Sequence, residues 1–104
     1  MGGSSILICE GYWPRAVRYR SQGGEIDIIA QRDHVMAAVE VKARPTLVIG
    51  HETMSASDWR RRHAAMEHFA HCIRRKNFTI RFDLAIVTPY FQIQHLESAW
   101  QPEF

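Results

Sequence analysis

Alternating and apolar positions in the first half of the chain predict three β-strands. The segments are RAVRYRS (15–21), EIDIIAQ (25–31) and VMAAVEVKA (35–43), and short polar turns, QGG (22–24) and RDH (32–34), separate them. Strands joined by turns this short pair antiparallel. We therefore expect an antiparallel meander of three strands.

The period of the pattern changes from two to about 3.6 in the second half of the chain. Within SASDWRRRHAAMEHFAHCIRRK (55–76), apolar residues recur at helical spacing, with Phe69 beside them: Trp59, His63, Met66, Ala70 and Ile73. This stripe predicts a helix with one buried face, capped by Ser55 or Ser57. The segments FTIRFDLAIVT (78–88) and FQIQHLESAW (91–100) then read as strands.

The predicted element order is β-β-β-α-β-β, and ILICEGYW (6–13) reads as the end of an N-terminal helix. A helix between the third and fourth strands favours a crossover between parallel neighbours. We expect an α/β fold with a mixed central sheet and one main helix packed on it. The length of 104 residues predicts one domain over 1–104.

Composition narrows the setting of the protein. Two cysteines make no disulfide framework, and no apolar run approaches the roughly 20 residues of a membrane helix. The start of the chain does not resemble a secretory signal, so a cytoplasmic location is expected. Eleven of the 13 basic residues are arginine, which suits bidentate contacts with phosphate, although a GC-rich coding bias would also produce this excess.

Four charges occupy positions that a strand usually gives to apolar residues. Residues two apart on a strand share a face, so Glu25 lies with Asp27, and Glu40 with Lys42. On this alternation Ile26 and Ile28 point the other way, as do Val39 and Val41. A turn centred between residues 33 and 34 sets Asp27 opposite Glu40, with all four charges on one face.

Two interpretations of this face remain open from spacing alone. As a solvated surface, it would gain about 0.2–1 kcal/mol from each cross-strand ion pair. As a site, its three carboxylates would repel one another unless a cation lay between them, and oxygen ligands favour Mg²⁺ or Mn²⁺. The charges interrupt an apolar, central strand, which favours the interpretation as a cation site over a solvated surface.

The same stretch carries a resemblance to a known family. GGEIDIIAQRDHVMAAVEVKAR (23–44) resembles the signature G-E-I-D-L-I-A…V-E-V-K-x-R of the YraN-like family. That family belongs to the PD-(D/E)XK nuclease superfamily and resembles archaeal Holliday junction resolvases. The basic helix RRRHAAMEHFA and the strands FTIRFDLAIV and IQHLESAW extend the similarity.

The resemblance implies a restriction-endonuclease-like core and hydrolysis of phosphodiesters in branched or structured DNA, such as four-way junctions. Asp27, Glu40 and the Val41 carbonyl would bind Mg²⁺ or Mn²⁺. Lys42 would orient the attacking water, with Glu25 as an auxiliary acid. A homodimer would suit a two-fold symmetric junction. The arginines expected to contact DNA are Arg18, Arg20, Arg44, Arg60, Arg61 and Arg62.

One departure from the resolvase pattern keeps a second function open. Related resolvases place a further acid on an N-terminal helix, whereas the acid before Gly11 in this chain is Glu10. The alternative is a nuclease-fold module that binds nucleic acid without cleaving it. Outside this site, we expect Asp83 to form a structural ion pair, with Arg81 or with another arginine on the sheet, rather than to bind a metal. We expect His95 to be packed or hydrogen-bonded on its strand, with contact to a phosphate as the alternative.

Overall fold

The computed structural model describes residues 10–21, 23–47, 54–74 and 77–101. These residues form β1 (Trp13–Ser21), β2 (Gly24–Arg32), β3 (Val35–Ala43), α1 (Ala56–Ile73), β4 (Thr79–Val87) and β5 (Ile93–Trp100). The predicted order β-β-β-α-β-β is confirmed. The predicted N-terminal helix falls mainly on residues 6–9, outside the described residues, and Glu10 and Gly11 form a turn.

The five strands form one mixed sheet in the order β1-β2-β3-β4-β5. β1, β2 and β3 pair antiparallel, as the short turns predict, and β4 pairs antiparallel with β5. β3 and β4 are parallel. Parallel neighbours need a long connection, and α1 lies within it. The predicted mixed sheet with a helix on it is therefore confirmed.

Helix α1 packs on one face of the sheet through its apolar stripe. It begins after Ser55, whose Oγ accepts the N–H of Asp58 at 3.1 Å. Trp59 stacks on Trp100 of β5, with ring centroids 5.9 Å apart, and meets the edge of Phe82. Ala65, Met66 and Phe69 complete the buried face of the helix. The stripe thus packs the helix on β2 and β3, and Trp59 extends the contact to β4 and β5.

The opposite face of the sheet has a second core. Its buried members come from the segment before β1 and from β2, β3 and β4: Tyr12, Ile28, Ala30, Ala37, Val39 and Ala85. A sheet buried on both faces needs continuous apolar runs rather than strict alternation. This burial explains the runs IIA in β2 and MAAV in β3.

The β2–β3 hairpin has the predicted register. Its pairs run from Ile28 opposite Val39 to Arg32 opposite Val35. This places the turn centre between residues 33 and 34, as the sequence predicts. The ladder ends at Ile28 and Val39, however, so Asp27 and Glu40 lie just beyond the last pair.

A break in β2 changes which residues share a face. Ile26 packs with Ile29 against the helix, whereas Ile28 packs in the opposite core. The prediction that Ile26 and Ile28 share a face is therefore wrong. Neither Asp27 nor Arg18, which has a φ of 54°, belongs to the β1–β2 ladder. This local irregularity interrupts the two-residue alternation at Asp27.

Two glycines bring the β1–β2 turn into direct contact with the helix. A Cβ on Gly23 would lie 2.6 Å from the Cβ of Ala64, and one on Gly24 would lie 2.8 Å from the carbonyl oxygen of Arg61. Real Cβ atoms do not approach so closely, so glycine is required for this packing. The contact sets the arginines of α1 beside the charged end of β2.

Candidate active site

The candidate site lies where β2 and β3 separate. Beyond the last ladder pair, the N–H of Val41 donates to Oδ2 of Asp27 at 2.8 Å. The side chain of Asp27 thus accepts a backbone hydrogen bond of β3 in place of a strand carbonyl. This bond holds the Asp27 carboxyl close enough to Glu40 for the two acids to interact.

Glu40 is a buried carboxylate held between two cations. Its side chain accepts a hydrogen bond from Nε of Arg62 to Oε2 at 2.7 Å, and Nζ of Lys42 lies 3.6 Å from Oε1. Glu40 is 6% exposed. A buried charge is strongly unfavourable unless it is paired and hydrogen-bonded. Arg62 and Lys42 therefore make a carboxylate tolerable at this central position of the sheet.

The protonation equilibrium of Asp27 is shifted by its surroundings. Burial raises the pKa of Asp27 above its ordinary value of 3.8, and the nearby Glu40 carboxylate raises it further. The Val41 hydrogen bond and Arg62 lower the pKa but do not compensate. Since the ionised form is the disfavoured one, Asp27 costs the folded protein stability at neutral pH. Such unfavourable charges are typical of functional sites.

Arg62 has a role that the sequence interpretation missed. It was expected to contact DNA, but its guanidinium binds Glu40, and its Nη1 donates to the carbonyl of Asp58 at 3.1 Å. A signal for this was present in the sequence. Arg62 lies three residues after Trp59 and four before Met66, which puts it on the buried face of α1.

Glu25 lies at an open groove beside the carboxylates of Asp27 and Glu40. Its Oε2 is 3.3 Å from Nε of Arg20, its partner across the β1–β2 ladder. The groove has these lining residues: Arg20, Ser21, Gly24, Glu25, Arg61 and Arg62. Arg62 therefore contacts Glu40 on one side and lines the groove on the other. The groove offers both cationic and anionic groups next to the carboxylate pair.

The remaining predicted arginines lie on β1, on α1 and at the end of β3. Arg18 and Arg60 are exposed, on β1 and α1. Arg61 pairs with Asp58 one turn earlier in the helix. Arg44 follows β3, where its N–H donates to the carbonyl of Val87 at 2.9 Å. The structure therefore brings Arg20 and Arg61 to the groove, and Arg44 to the end of β3.

The carboxylate oxygens of Asp27 and Glu40 meet part of what a divalent cation such as Mg²⁺ requires. Two carboxylates, Asp27 and Glu40, interact directly, and Mg²⁺ is commonly held by one or two carboxylates with water completing its shell. Both Glu40 oxygens already face cations, however. Among the described residues, no cluster of three or more His, Cys, Asp or Glu side chains has a geometry suited to a metal. A cation at this position would therefore share Glu40 with Arg62 and Lys42.

A second polar cluster is buried on the face of the sheet opposite α1. Asp83 is 0% exposed and accepts hydrogen bonds from both Nε and Nη2 of Arg81, at 2.8 and 2.7 Å. It also accepts the N–H of Ser98 at 3.0 Å and a bond from Nε2 of His95 at 2.7 Å. Both structural predictions are thus confirmed, the Asp83–Arg81 ion pair and the hydrogen-bonded His95.

His95 lies between two carboxylates. Nε2 bonds Asp83, and Nδ1 lies 2.7 Å from Oε2 of Glu10. The hydrogen bond to Asp83 raises the pKa of His95 above its ordinary 6.5, and Glu10 adds to this rise, although burial opposes it. A protonated His95 donates at both nitrogens and satisfies both acids. Glu10 is therefore engaged on this face and is not a member of the Asp27–Glu40 site.

We expect stability to fall as pH rises because of His95. A group whose native pKa is raised contributes its full stabilisation below its unfolded pKa, here about 6.5, and loses it as pH rises through the native value. Two of the groups that face His95 keep their charge across this range, because the pKa of Asp83 is lowered and that of Arg81 is raised. The free energy of unfolding in urea, measured from pH 6 to 9, should decrease by at most about 1.4 kcal/mol per pH unit for this one proton.

The control for this titration is a second histidine. His95→Gln should remove the decrease with pH, whereas His71→Gln, at an exposed position in the last turn of α1, should leave it in place. An unchanged slope in His95→Gln would contradict the assignment.

Fold and site together define the chain as an α/β protein with a partly buried carboxylate pair set beside lysine and arginine at the open end of a mixed sheet. Comparison with known proteins then identifies its family. The chain belongs to the family described as Uncharacterised protein family UPF0102, whose model matches residues 3–87 and so includes the whole candidate site. The YraN-like resemblance predicted from residues 23–44 is thereby confirmed.

Individual relatives are similar over most of the chain. A UPF0102 protein of Methylobacterium nodulans is 40% identical over 101 residues, which covers 93% of this chain and 76% of the relative. One from Sinorhizobium medicae is 39% identical over 97 residues, with 90% and 78% covered. One from Caulobacter vibrioides is 34% identical over 95 residues, with 90% and 76% covered. In the part of this chain that the structure describes, no helix has the length and apolar character needed to span a membrane.

Proposed function

We propose that the protein is a metal-dependent endonuclease that hydrolyses phosphodiesters in branched or otherwise structured DNA. One observation carries the proposal: Asp27 and Glu40 converge where β2 and β3 separate, with Lys42 and Arg62 at the same carboxylate. Oxygen ligands beside cationic groups suit the chemistry of a phosphate ester. The resemblance of residues 23–44 to the PD-(D/E)XK signature supports the same reaction.

Each residue has a role in this proposal. Mg²⁺ or Mn²⁺, held by Asp27, Glu40 and the Val41 carbonyl, would supply positive charge to the phosphate. Lys42 orients the attacking water and stabilises negative charge on the phosphate. As the water oxygen bonds to phosphorus in line, the opposite P–O bond breaks, the sugar oxygen leaves and takes up a proton, and the proton of the water passes to solvent. The place of Lys42, 3.6 Å from Glu40, keeps the ammonium oriented. Glu25, at the groove, accepts a hydrogen bond from a second water.

Contacts with the DNA backbone would come from the arginines around the site. Arg20 and Arg61 line the groove beside Glu25, and Arg44 extends from the end of β3. Arg18 on β1 and Arg60 on α1 are exposed and would add further contacts. Such contacts release counterions, so binding weakens steeply with salt. They orient the strand without reading its sequence.

A second candidate function is nucleic-acid binding without cleavage. It is favoured by the position of Arg62, whose Nε lies 2.7 Å from Oε2 of Glu40 and neutralises that acid internally. It is also favoured by Glu10, which pairs with His95 on the other face of the sheet. In this case Glu40 and Arg62 form a structural ion pair, and the surrounding arginines alone engage the phosphates.

A cleavage assay separates the two functions. The substrates are a four-way junction, a duplex with the same arm sequence and a single strand, each with Mg²⁺, Mn²⁺ or EDTA. We expect cation-dependent cutting that is strongest on the junction and is lost in Glu40→Gln and Lys42→Ala. The matched control is Glu67→Gln, an exposed acid on α1, which should cut as wild type does.

Binding measured on the same DNAs assigns the remaining outcomes. Salt-dependent binding without cutting favours the module that only binds. If the protein neither binds nor cuts any of these DNAs, both functions are contradicted. Mg²⁺ titration followed by NMR should shift the amides of residues 25–27 and 40–42 together, and shifts elsewhere would contradict the proposed cation site. Sedimentation with and without junction tests the expected homodimer.

A further inference from the structure

Two aromatic side chains project from the turn between β4 and β5. Tyr90 and Phe91 are each 83% exposed, the highest values among the large apolar residues that the structure describes as exposed. Exposed aromatic pairs are uncommon at the tip of a short turn because they leave apolar surface in water. Neither residue belongs to the cores described above. The pair therefore calls for a partner outside the chain.

The turn that carries these rings is held firmly. Thr88 is buried, its N–H donates to the carbonyl of Gln92 at 3.0 Å, and its Oγ1 accepts the N–H of Gln92 at 3.2 Å. The N–H of Phe91 donates to the carbonyl of Thr88 at 3.1 Å. Phe91 has a φ of 59°, which is unfavourable for a bulky side chain. These bonds hold the backbone that carries both rings, so less backbone freedom is lost when the rings bind a partner.

The aromatic turn lies at the same end of the sheet as the candidate site. β3 and β4 are parallel, with Lys42 opposite Ile86, so both strands finish at this end. Tyr90 is four residues beyond Ile86, so the two residues lie at most about 13 Å apart. Arg44 leaves β3 beside Val87. The rings are therefore within a few nucleotides of Lys42 along a bound strand, at about 3.4 Å per nucleotide in a duplex.

We propose that Tyr90 and Phe91 form a stacking platform for unpaired or unstacked bases of the DNA bound at this site. The inference rests on the proposed function and names its substrate class: DNA in which bases next to the scissile phosphate are free of the duplex stack. An aromatic ring stacks on any base face, whereas a base inside a duplex must first be unstacked. Lys42 and Arg44 hold the phosphates of the same strand.

The charged side chains near the turn favour nucleic acid over an apolar partner. An apolar protein surface or a lipid interior would have to bury Lys42 and Arg44, which lie at the same end of the sheet, at high cost. A single strand of nucleic acid instead offers phosphates to the cations and base faces to the rings. The cationic side chains therefore match the phosphates, and the aromatic rings match the bases, of a single ligand.

The test measures binding in EDTA, so that cleavage does not intervene. Wild type and Tyr90→Ala/Phe91→Asn are titrated with a four-way junction, a duplex containing an unpaired loop, and an intact duplex of the same length. Asparagine at position 91 retains the positive φ. The matched control is Trp13→Ala, which removes an exposed aromatic residue, 73% exposed, at the start of β1. Unfolding midpoints confirm that each variant is folded.

We expect the double variant to lose at least fivefold in affinity for the looped DNA and the junction, within the range of about 5- to 150-fold for loss of stacking on one base. Affinity for intact duplex should change by less than twofold. A 2-aminopurine in the unpaired loop should be quenched by wild type and not by the double variant. Trp13→Ala should behave as wild type in each assay.

Three outcomes would overturn the platform. The first is equal weakening for duplex and looped DNA, and the second is unchanged binding in the double variant. The third is the same loss in Trp13→Ala. If wild type binds or cuts DNA while one of these holds, only the platform is wrong. If wild type neither binds nor cuts any DNA, the proposed function fails and the platform fails with it.

Discussion

Asp27→Asn is expected to abolish cleavage and to raise stability at the same time. The asparagine Oδ1 still accepts the Val41 N–H that Asp27 binds at 2.8 Å, so the local backbone is retained. The substitution removes a negative charge that burial and Glu40 disfavour. We expect a gain of about 1 kcal/mol at neutral pH, as is usual when an unfavourable functional group is replaced. Cleavage should fall at least about a hundredfold, as for loss of a charged group at the reacting phosphate.

The pH dependence of the gain provides an internal check. Because the native pKa of Asp27 is raised, its destabilising effect grows as pH rises from 3.8 toward the native value and disappears below 3.8. The difference in unfolding free energy between Asp27→Asn and wild type should therefore vanish on acidification. A loss of stability at pH 7, or cleavage within tenfold of wild type, would contradict the assignment of Asp27 to the site.

Asp83→Ala is expected to cause the largest loss of stability of any single substitution considered. It leaves Arg81 and His95 without their buried anion, and the N–H of Ser98 without its acceptor. Removal of one member of a buried ion pair costs about 3–5 kcal/mol. The free energy of unfolding, measured by urea titration at pH 7, should fall by that amount.

Two comparisons make this result interpretable even if Asp83→Ala does not fold. Asp83→Asn keeps the shape and one acceptor, and should retain a measurable transition. In a double-mutant cycle with Arg81→Gln, the two losses should be non-additive by about 1–3 kcal/mol. Glu67→Ala, from an exposed pair with His63, should change stability by less than about 0.5 kcal/mol. Additive losses would contradict direct coupling of Asp83 and Arg81.

The two acids illustrate how the fold separates the candidate site from a structural ion cluster. Burial raises the pKa of Asp27, which has one backbone hydrogen bond and a neighbouring carboxylate. Burial alone would also raise the pKa of Asp83, but hydrogen bonds from His95, Arg81 and Ser98 lower it below 3.8. Asp83 therefore stabilises the fold above that pH, and the stabilisation is lost as pH falls through its native pKa. Asp27, whose pKa is raised, instead destabilises the fold at neutral pH, and this cost disappears as pH falls below 3.8.

Much of the architecture is predictable because it depends on local patterns. The turn at residues 32–34 determines the register of β2 and β3, and the pairs from Ile28–Val39 onward agree with it. The apolar stripe of α1 and the cap at Ser55 follow from helical spacing and from the orphan N–H groups of a first turn. The Asp83–Arg81 pair is predictable since residues two apart on a strand share a face.

The sequence by itself therefore determined the element order, the mixed sheet, the hairpin register and the family. Only the tertiary structure decided the partners of Glu40, Arg62 and Glu10. Gly23 and Gly24 let α1 approach the β1–β2 turn, and this contact turns Arg62 toward Glu40 and sets Glu25 at the groove. The break at Asp27 is likewise invisible to a period-two pattern. Local spacing specifies which face a residue occupies only where the strand or helix is regular. A charge pair depends in addition on the distance between elements that are remote along the chain.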